Sequence, residues 1–190
     1  MQGYYDSSGV QSESFDQTVS LSSQGDFSLT DDMRERGIRM VQTPGAYLHY
    51  YLFNMEDPVF GGYGDKKNML RRAISIAVDS REYIDIFRNG LGSEPQGLVP
   101  PGFFGYESGP KGVNPYVFDW DPIRKKPVRK KIEVARQLLA EAGYPGGYDA
   151  NGVQLSLKFV TFRTGAQYRS AQDLLVKQLQ RISVKLDIEV

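Results

Sequence analysis

Between residues 155 and 190 the spacing of apolar positions changes twice. Leu155, Leu157 and Phe159 alternate with Ser156 and Lys158, as in a half-buried strand. Ala171, Leu174, Leu175, Leu179 and Ile182 then recur at helical spacing, and Val184, Leu186, Ile188 and Val190 return to strict alternation with Lys185, Asp187 and Glu189. Strand, helix and strand with short joints make a βαβ unit with parallel strands. The predicted class is α/β, a mixed sheet with flanking helices.

Earlier segments are read the same way. Leu70 to Asp79, running into Arg81-Glu82-Tyr83-Ile84, predicts two short helices joined at an Asp79-Ser80 cap. Thr30 before Asp31 and Asp32 predicts a short helix with Arg34 and Arg36 at its end and Gly37 just past it. Residues 38–41 and 46–53 read as strands around a Thr43-Pro44-Gly45 turn, the second aromatic enough to sit inside a sheet. Residues 57–65 read as a loop. Residues 92–123 form a long Pro-rich irregular stretch, in which Phe103, Phe104, Tyr106, Tyr116, Phe118 and Trp120 argue for order.

Composition narrows the function classes. The 190 residues suit one domain, 1–190, able to bury about 70% of the surface its unfolded chain exposes. Basic and acidic residues number 23 each, so no global field attracts nucleic acid or an anionic membrane. The absence of cysteine removes disulfides, thiolate metal sites and a cysteine nucleophile. No apolar run reaches the roughly 18 residues of a membrane span, and Met1 to Asp6 does not read as a signal peptide.

Four landmarks in order carry a family resemblance. Tyr50-Tyr51-Leu52-Phe53-Asn54-Met55 is followed by the Leu70–Ile84 run, then by Gly97-Leu98-Val99-Pro100-Pro101-Gly102-Phe103-Phe104-Gly105-Tyr106, then by Ile132 to Pro145 with its Leu138-Leu139-Ala140-Glu141-Ala142-Gly143-Tyr144-Pro145 exit. Over residues 37 to 190 this resembles family 5 extracellular solute-binding proteins, the peptide and nickel type serving ABC importers. The first 36 residues match only loosely.

The resemblance implies part of one lobe, the second, of a type II periplasmic-binding-protein-like fold. It further implies a peptide-like solute held between two lobes, delivery to an importer permease, and a periplasmic or extracytoplasmic location with the export signal removed or upstream. It implies no enzyme activity and no cofactor, and leaves opines, sugars and metal chelates open as solutes. A lobe piece would bind weakly by itself, and its last strand, 184–190, would leave an edge open to pairing with another copy.

Candidate contacts are few. Asn54 is placed to hold a polar ligand or to form a turn before Glu56-Asp57-Pro58. Phe104 and Tyr106, in a Pro-Gly framework, suit a stacking wall. Arg71 is an anchor for a ligand carboxylate or, the favoured reading, an internal partner of Asp79 or Asp85. Trp120 is a ligand or partner contact, or is buried. His49, alone, lacks partners at metal-ligand or triad spacing. Gly90-Leu91-Gly92-Ser93 lacks the nucleophile-elbow order, and Gly61 to Lys67 lacks a P-loop ending. The basic run Arg124 to Lys131 reads as a solvated loop and helix start, although its charges oppose the dipole of the helix that follows. The alternative function is a stand-alone α/β interaction domain using the aromatic and basic surface 100–131, with a hydrolase third.

Overall fold

In this computed structural model the described residues are 9–10, 14–21, 27–42, 47–162 and 165–189. They fall into two units, one drawn from Met1–Gly45 and Ile84–Gly92, the other from Ala46–Tyr83 and Ser93–Val190.

The smaller unit contains α1 (Phe15–Thr18), β1 (Val19–Leu21), β2 (Phe27–Leu29) and α2 (Asp31–Glu35). β1 and β2 are antiparallel, with Val19 opposite Leu29 and Leu21 opposite Phe27. Phe15, Val19, Leu29 and Met33 are buried, and Phe15 meets Phe27 edge to face at 6.0 Å. α2 forms where the acidic start and basic end predict it. No side-chain hydrogen bond caps it, and the Thr30 hydroxyl donates to the Gln17 carbonyl.

Two expected strands are absent. Residues 38–41 and 47–53 belong to no strand ladder among the described residues, while Thr43-Pro44-Gly45 and Ala46 lie outside the described residues. Far from sitting inside a sheet, Tyr47, Tyr50 and Leu52 are exposed, whereas Leu48 and Phe53 are half-buried, Phe53 edge to face with Phe60 at 5.7 Å and Tyr51 edge to face with Phe159 at 5.5 Å. Strand propensity describes fit to a pleated, half-buried surface, and without a neighbouring backbone to pair with it does not make a strand.

In the larger unit the elements are α3 (Asp65–Ala77), α4 (Ser80–Phe87, residues 80–83 here), β3 (Phe118–Asp121), β4 (Lys126–Arg129), α5 (Ile132–Glu141), β5 (Ser156–Val160), α6 (Ala166–Gln180) and β6 (Lys185–Glu189). The predicted βαβ unit is present: β5 and β6 pair in parallel from Ser156 opposite Lys185 to Val160 opposite Glu189. β3 lies within the stretch expected to be irregular and forms an antiparallel hairpin with β4, which falls in the basic run. The α/β class holds, with the described strands in two-stranded sheets.

Helical spacing explains the core. Leu70, Ala73, Ile74 and Ala77 share one face of α3, and Ala135, Leu138, Leu139 and Ala142 one face of α5 and its exit. These helices pack together, and the wholly buried alanines 73 and 135 carry no bulk to hold their backbones apart. Leu155, Leu157, Leu175, Leu179, Ile182 and Val184 from the βαβ unit complete the cluster. Each buried leucine or isoleucine contributes about 1.5–3 kcal/mol.

Behind this core a tight turn at Pro145–Gly147 meets the turn that leads into β6. Gly147 has φ 90°, and a Cβ there would lie 2.4 Å from the Ser183 carbonyl oxygen. Its own carbonyl accepts from the Leu155 N–H at 2.8 Å, so the backbone cannot move away without loosening the entry to β5. Gly147→Ala is expected to cost about 2 kcal/mol, read as a lower urea midpoint at unchanged slope. A cost below about 0.5 kcal/mol would show that the turn yields freely.

Candidate functional site

The hairpin corrects the reading of the basic run. Arg129, on β4, lies opposite Phe118 on β3, and its guanidinium stacks 5.0 Å from that ring. Nη1 donates to the carbonyls of Ser75, Ile76 and Val78, at 3.4, 3.2 and 3.0 Å. Nη2 donates to Ser80 Oγ and Glu94 Oε1, each at 3.0 Å, and Nε also reaches Glu94. α3 has no basic residue in its own last turn, so Arg129 supplies the cation that the carbonyl end of a helix attracts. Lys130 pairs with Asp119. Two of the charges that oppose α5's dipole therefore serve neighbouring elements; they are not a solvated run.

Asp79 joins α3 to α4 as the predicted cap. Its Oδ1 accepts from the N–H groups of Arg81 at 2.9 Å and Glu82 at 3.2 Å. Gln178, 2% exposed on α6, holds the same junction: Oε1 accepts from Asp79 N–H at 3.1 Å, and Nε2 donates to Asp79 O at 3.0 Å and Glu82 Oε2 at 2.9 Å. Arg181 donates to Glu82 Oε1 at 2.9 Å. The hydrogen bond from Gln178, then that from Arg181, holds the Glu82 carboxyl below the usual glutamate range. Asp121, at the end of β3, is also held low, first by the Arg124 N–H and then by that of Ile123.

Glu94 leads into the aromatic loop. Gln96 Oε1 accepts from the Asn114 N–H at 3.2 Å, closing the loop across 18 residues. Within it, Phe103 N–H donates to Pro100 O and Tyr106 N–H to Phe103 O, two successive turns. They present Phe103, Phe104 and Tyr106 outward, with Phe104 fully exposed at 105%.

The other candidate residues lie elsewhere. Asn54 Oδ1 accepts from the Glu56 N–H at 3.0 Å, the turn-forming geometry. Arg71 holds the carbonyls of Phe60 and Gly62 together with Asn68 Oδ1, whereas Asp79 faces Arg129 at 3.6 Å. The favoured internal ion pair with Asp79 or Asp85 is not found among the described residues; Arg71 serves loop carbonyls and Asn68 instead. Asn54 and Arg71 come together only in serving the loop 54–62. Trp120 is half-buried, paired across the hairpin with Pro127. Among the described residues no hydrogen bond, ion pair or ring contact joins any two of Asn54, Arg71, Phe104, Tyr106 and Trp120. Arg129 and Gln178 were missed, because their partners lie about fifty and a hundred residues away.

Residues 9–190 match the family described as bacterial extracellular solute-binding proteins, family 5 Middle, so the match takes in most of the first 36 residues too. Heme-binding protein A of Haemophilus influenzae is 27% identical over 114 residues, 60% of this chain and 17% of that protein. The oligopeptide-binding protein AppA of Bacillus subtilis, solved with a nonapeptide, shares the fold, with a TM-score of 0.51 over 72% of this chain and 25% of its own at 20% identity. Lactococcal OppA, solved with an endogenous peptide, gives 0.48 over 64% and 21% at 26% identity. The chain thus spans between 17% and 25% of the length of these relatives. No helix among the described residues is long and apolar enough to cross a membrane. With its landmarks in family order and its match running over residues 9–190, the chain belongs to family 5 of the bacterial extracellular solute-binding proteins.

Proposed function

We propose that this chain is part of the substrate-binding component of an ABC importer, with Phe104 and Tyr106 forming one wall for a peptide-like solute. The observation that carries the reading is an ordered loop that turns aromatic rings into solvent in a chain of this family. Exposed apolar surface held in place by turns and a base staple is ready for a ligand to cover, at little ordering cost. AppA, which shares the fold, was solved with a nonapeptide, and a peptide is the solute that aromatic walls of this kind are proposed to hold here. Asn54 and Arg71 orient the loop 54–62 and are the weaker candidates for direct contact; Trp120 offers one half-exposed edge.

In this proposal the remainder of the two-lobed protein closes over the solute about a hinge, and the closed form is recognised by the permease outside the cytoplasmic membrane. No cofactor or catalytic residue takes part. The family match favours this over a stand-alone interaction domain. β6 pairs only with β5 among the described strands, which keeps edge pairing between copies within the proposal.

Native mass spectrometry of the chain with a pooled peptide library tests it. Weak peptide retention is expected on a monomer or an edge-paired dimer, falling at least about tenfold in the Phe104→Ala, Tyr106→Ala double variant. Peptide retained equally by both proteins would remove the loop from the site.

A further inference from the structure

Beside the start of α5 lies an open cavity of about 790 Å³, lined by Arg72, Asp119, Lys130, Lys131, Glu133 and Val134. Its charges do not cancel locally. Asp119 is taken by Lys130, and Glu133 faces Arg136 at 3.6 Å, which leaves the cations of Arg72 and Lys131 without a carboxylate among the described residues. Arg72 is half-buried on α3, and its guanidinium rests 5.2 Å from the centre of the Tyr116 ring, which holds it in place. Its Nε is shielded from solvent and bonds to nothing among the described residues.

A guanidinium that lines an open cavity, rests on an aromatic ring and meets no carboxylate among the described residues can offer its outer N–H groups to a planar, two-oxygen acceptor. Lys131 immediately precedes α5 and makes no side-chain cap bond. It adds a second cation on the side where the helix dipole also favours negative charge. The volume falls within the range of roughly 300–1,000 Å³ typical of small-molecule sites, so the acceptor can carry an organic body beyond a bare ion.

We propose that this cavity binds a small oxyanion, a carboxylate or phosphate group, with Arg72 as its two-point anchor and Lys131 as the second cation. The site is separate from the aromatic wall, since neither Phe104 nor Tyr106 lines it. It stands whether or not the peptide reading does.

The test follows the Arg72 Nε–Hε resonance by nuclear magnetic resonance in the 190-residue chain. Sodium phosphate, sodium acetate and sodium chloride are titrated at matched ionic strength. The expected result is a saturable shift with phosphate, acetate or both, and none with chloride; the anion that saturates identifies the class. Direct binding of that anion is then compared by calorimetry in variants. Arg72→Lys keeps the charge but loses the fork and should weaken binding roughly tenfold. Lys131→Gln should weaken it several-fold, and Lys126→Gln, outside the cavity, should leave it unchanged. Non-saturating drift indistinguishable from chloride overturns the proposal, as does binding undiminished in Arg72→Lys. If Arg72→Lys does not fold, Lys131→Gln decides: unchanged affinity there overturns it equally.

Discussion

Replacing Arg129 with alanine is expected to lower the unfolding free energy of the larger unit by about 3–5 kcal/mol. The side chain is 16% exposed and its partner Glu94 is 22% exposed, so truncation strands a sheltered carboxylate that keeps, among the described residues, the Ser80 hydroxyl alone. It also leaves the Ser75, Ile76 and Val78 carbonyls without their donor, at the end of the helix that packs on α5. Each carbonyl that water cannot reach adds to the cost. Arg129→Lys should recover less than half, since an ammonium cannot serve carbonyls on one side and Glu94 on the other while stacking on Phe118. Urea unfolding followed by Trp120, on the paired strand, measures both variants. A loss below about 1 kcal/mol in the alanine variant would show that water caps α3 as well as Arg129 does.

Gln178→Ala is expected to cost about 3 kcal/mol and to change the acid limb of stability. The amide makes three hydrogen bonds in a site closed to solvent, two of them to the backbone of Asp79, and alanine leaves both the Asp79 N–H and C=O unsatisfied next to a void. Gln178→Glu keeps the acceptor for Asp79 N–H, loses the donor to Asp79 O and Glu82, and sets a second carboxylate against Glu82, so it should cost at least as much as Gln178→Ala at neutral pH.

The pH dependence follows from Glu82. Its carboxyl is held below the ordinary glutamate value in the folded chain, chiefly by Gln178, so the unfolded chain binds its proton first as the pH falls. The associated stability is fully present above the ordinary value of about 4.3 and is lost as the pH drops through the lower folded value. Gln178→Ala removes the largest cause of that depression. The difference in stability between wild type and variant should therefore narrow on acidification below about pH 4. Paired urea titrations at neutral and acidic pH check this, and a constant difference across that range would show that Glu82 is not held by Gln178.

Landmarks that depend on neighbours in the chain were legible. The Asp79 cap, the turn at Asn54 and the βαβ unit each express a spacing that local backbone geometry or one buried face demands. Asn54 illustrates how far such reading goes: a turn-forming amide was one of its two readings, and the Glu56 N–H now occupies its oxygen. The aromatic stretch 47–53 marks the opposite case. Its composition suits a strand, but strand formation needs a second backbone, and composition does not say whether one is there.

By itself the sequence determined the α/β class, the parallel βαβ unit, the helical faces built on Leu70 and Leu138, and the order of landmarks that places the chain in its family. Those properties arise from periodicity and local capping, which act within a few residues. Only the tertiary structure decided that Arg129 closes the end of α3, that Gln178 grips the α3–α4 junction, and that Arg72 lies over Tyr116 with no carboxylate beside it among the described residues. A guanidinium or amide finds its partner by where the chain returns in space, and loop closure brings together residues whose separation along the chain carries no sign of the contact.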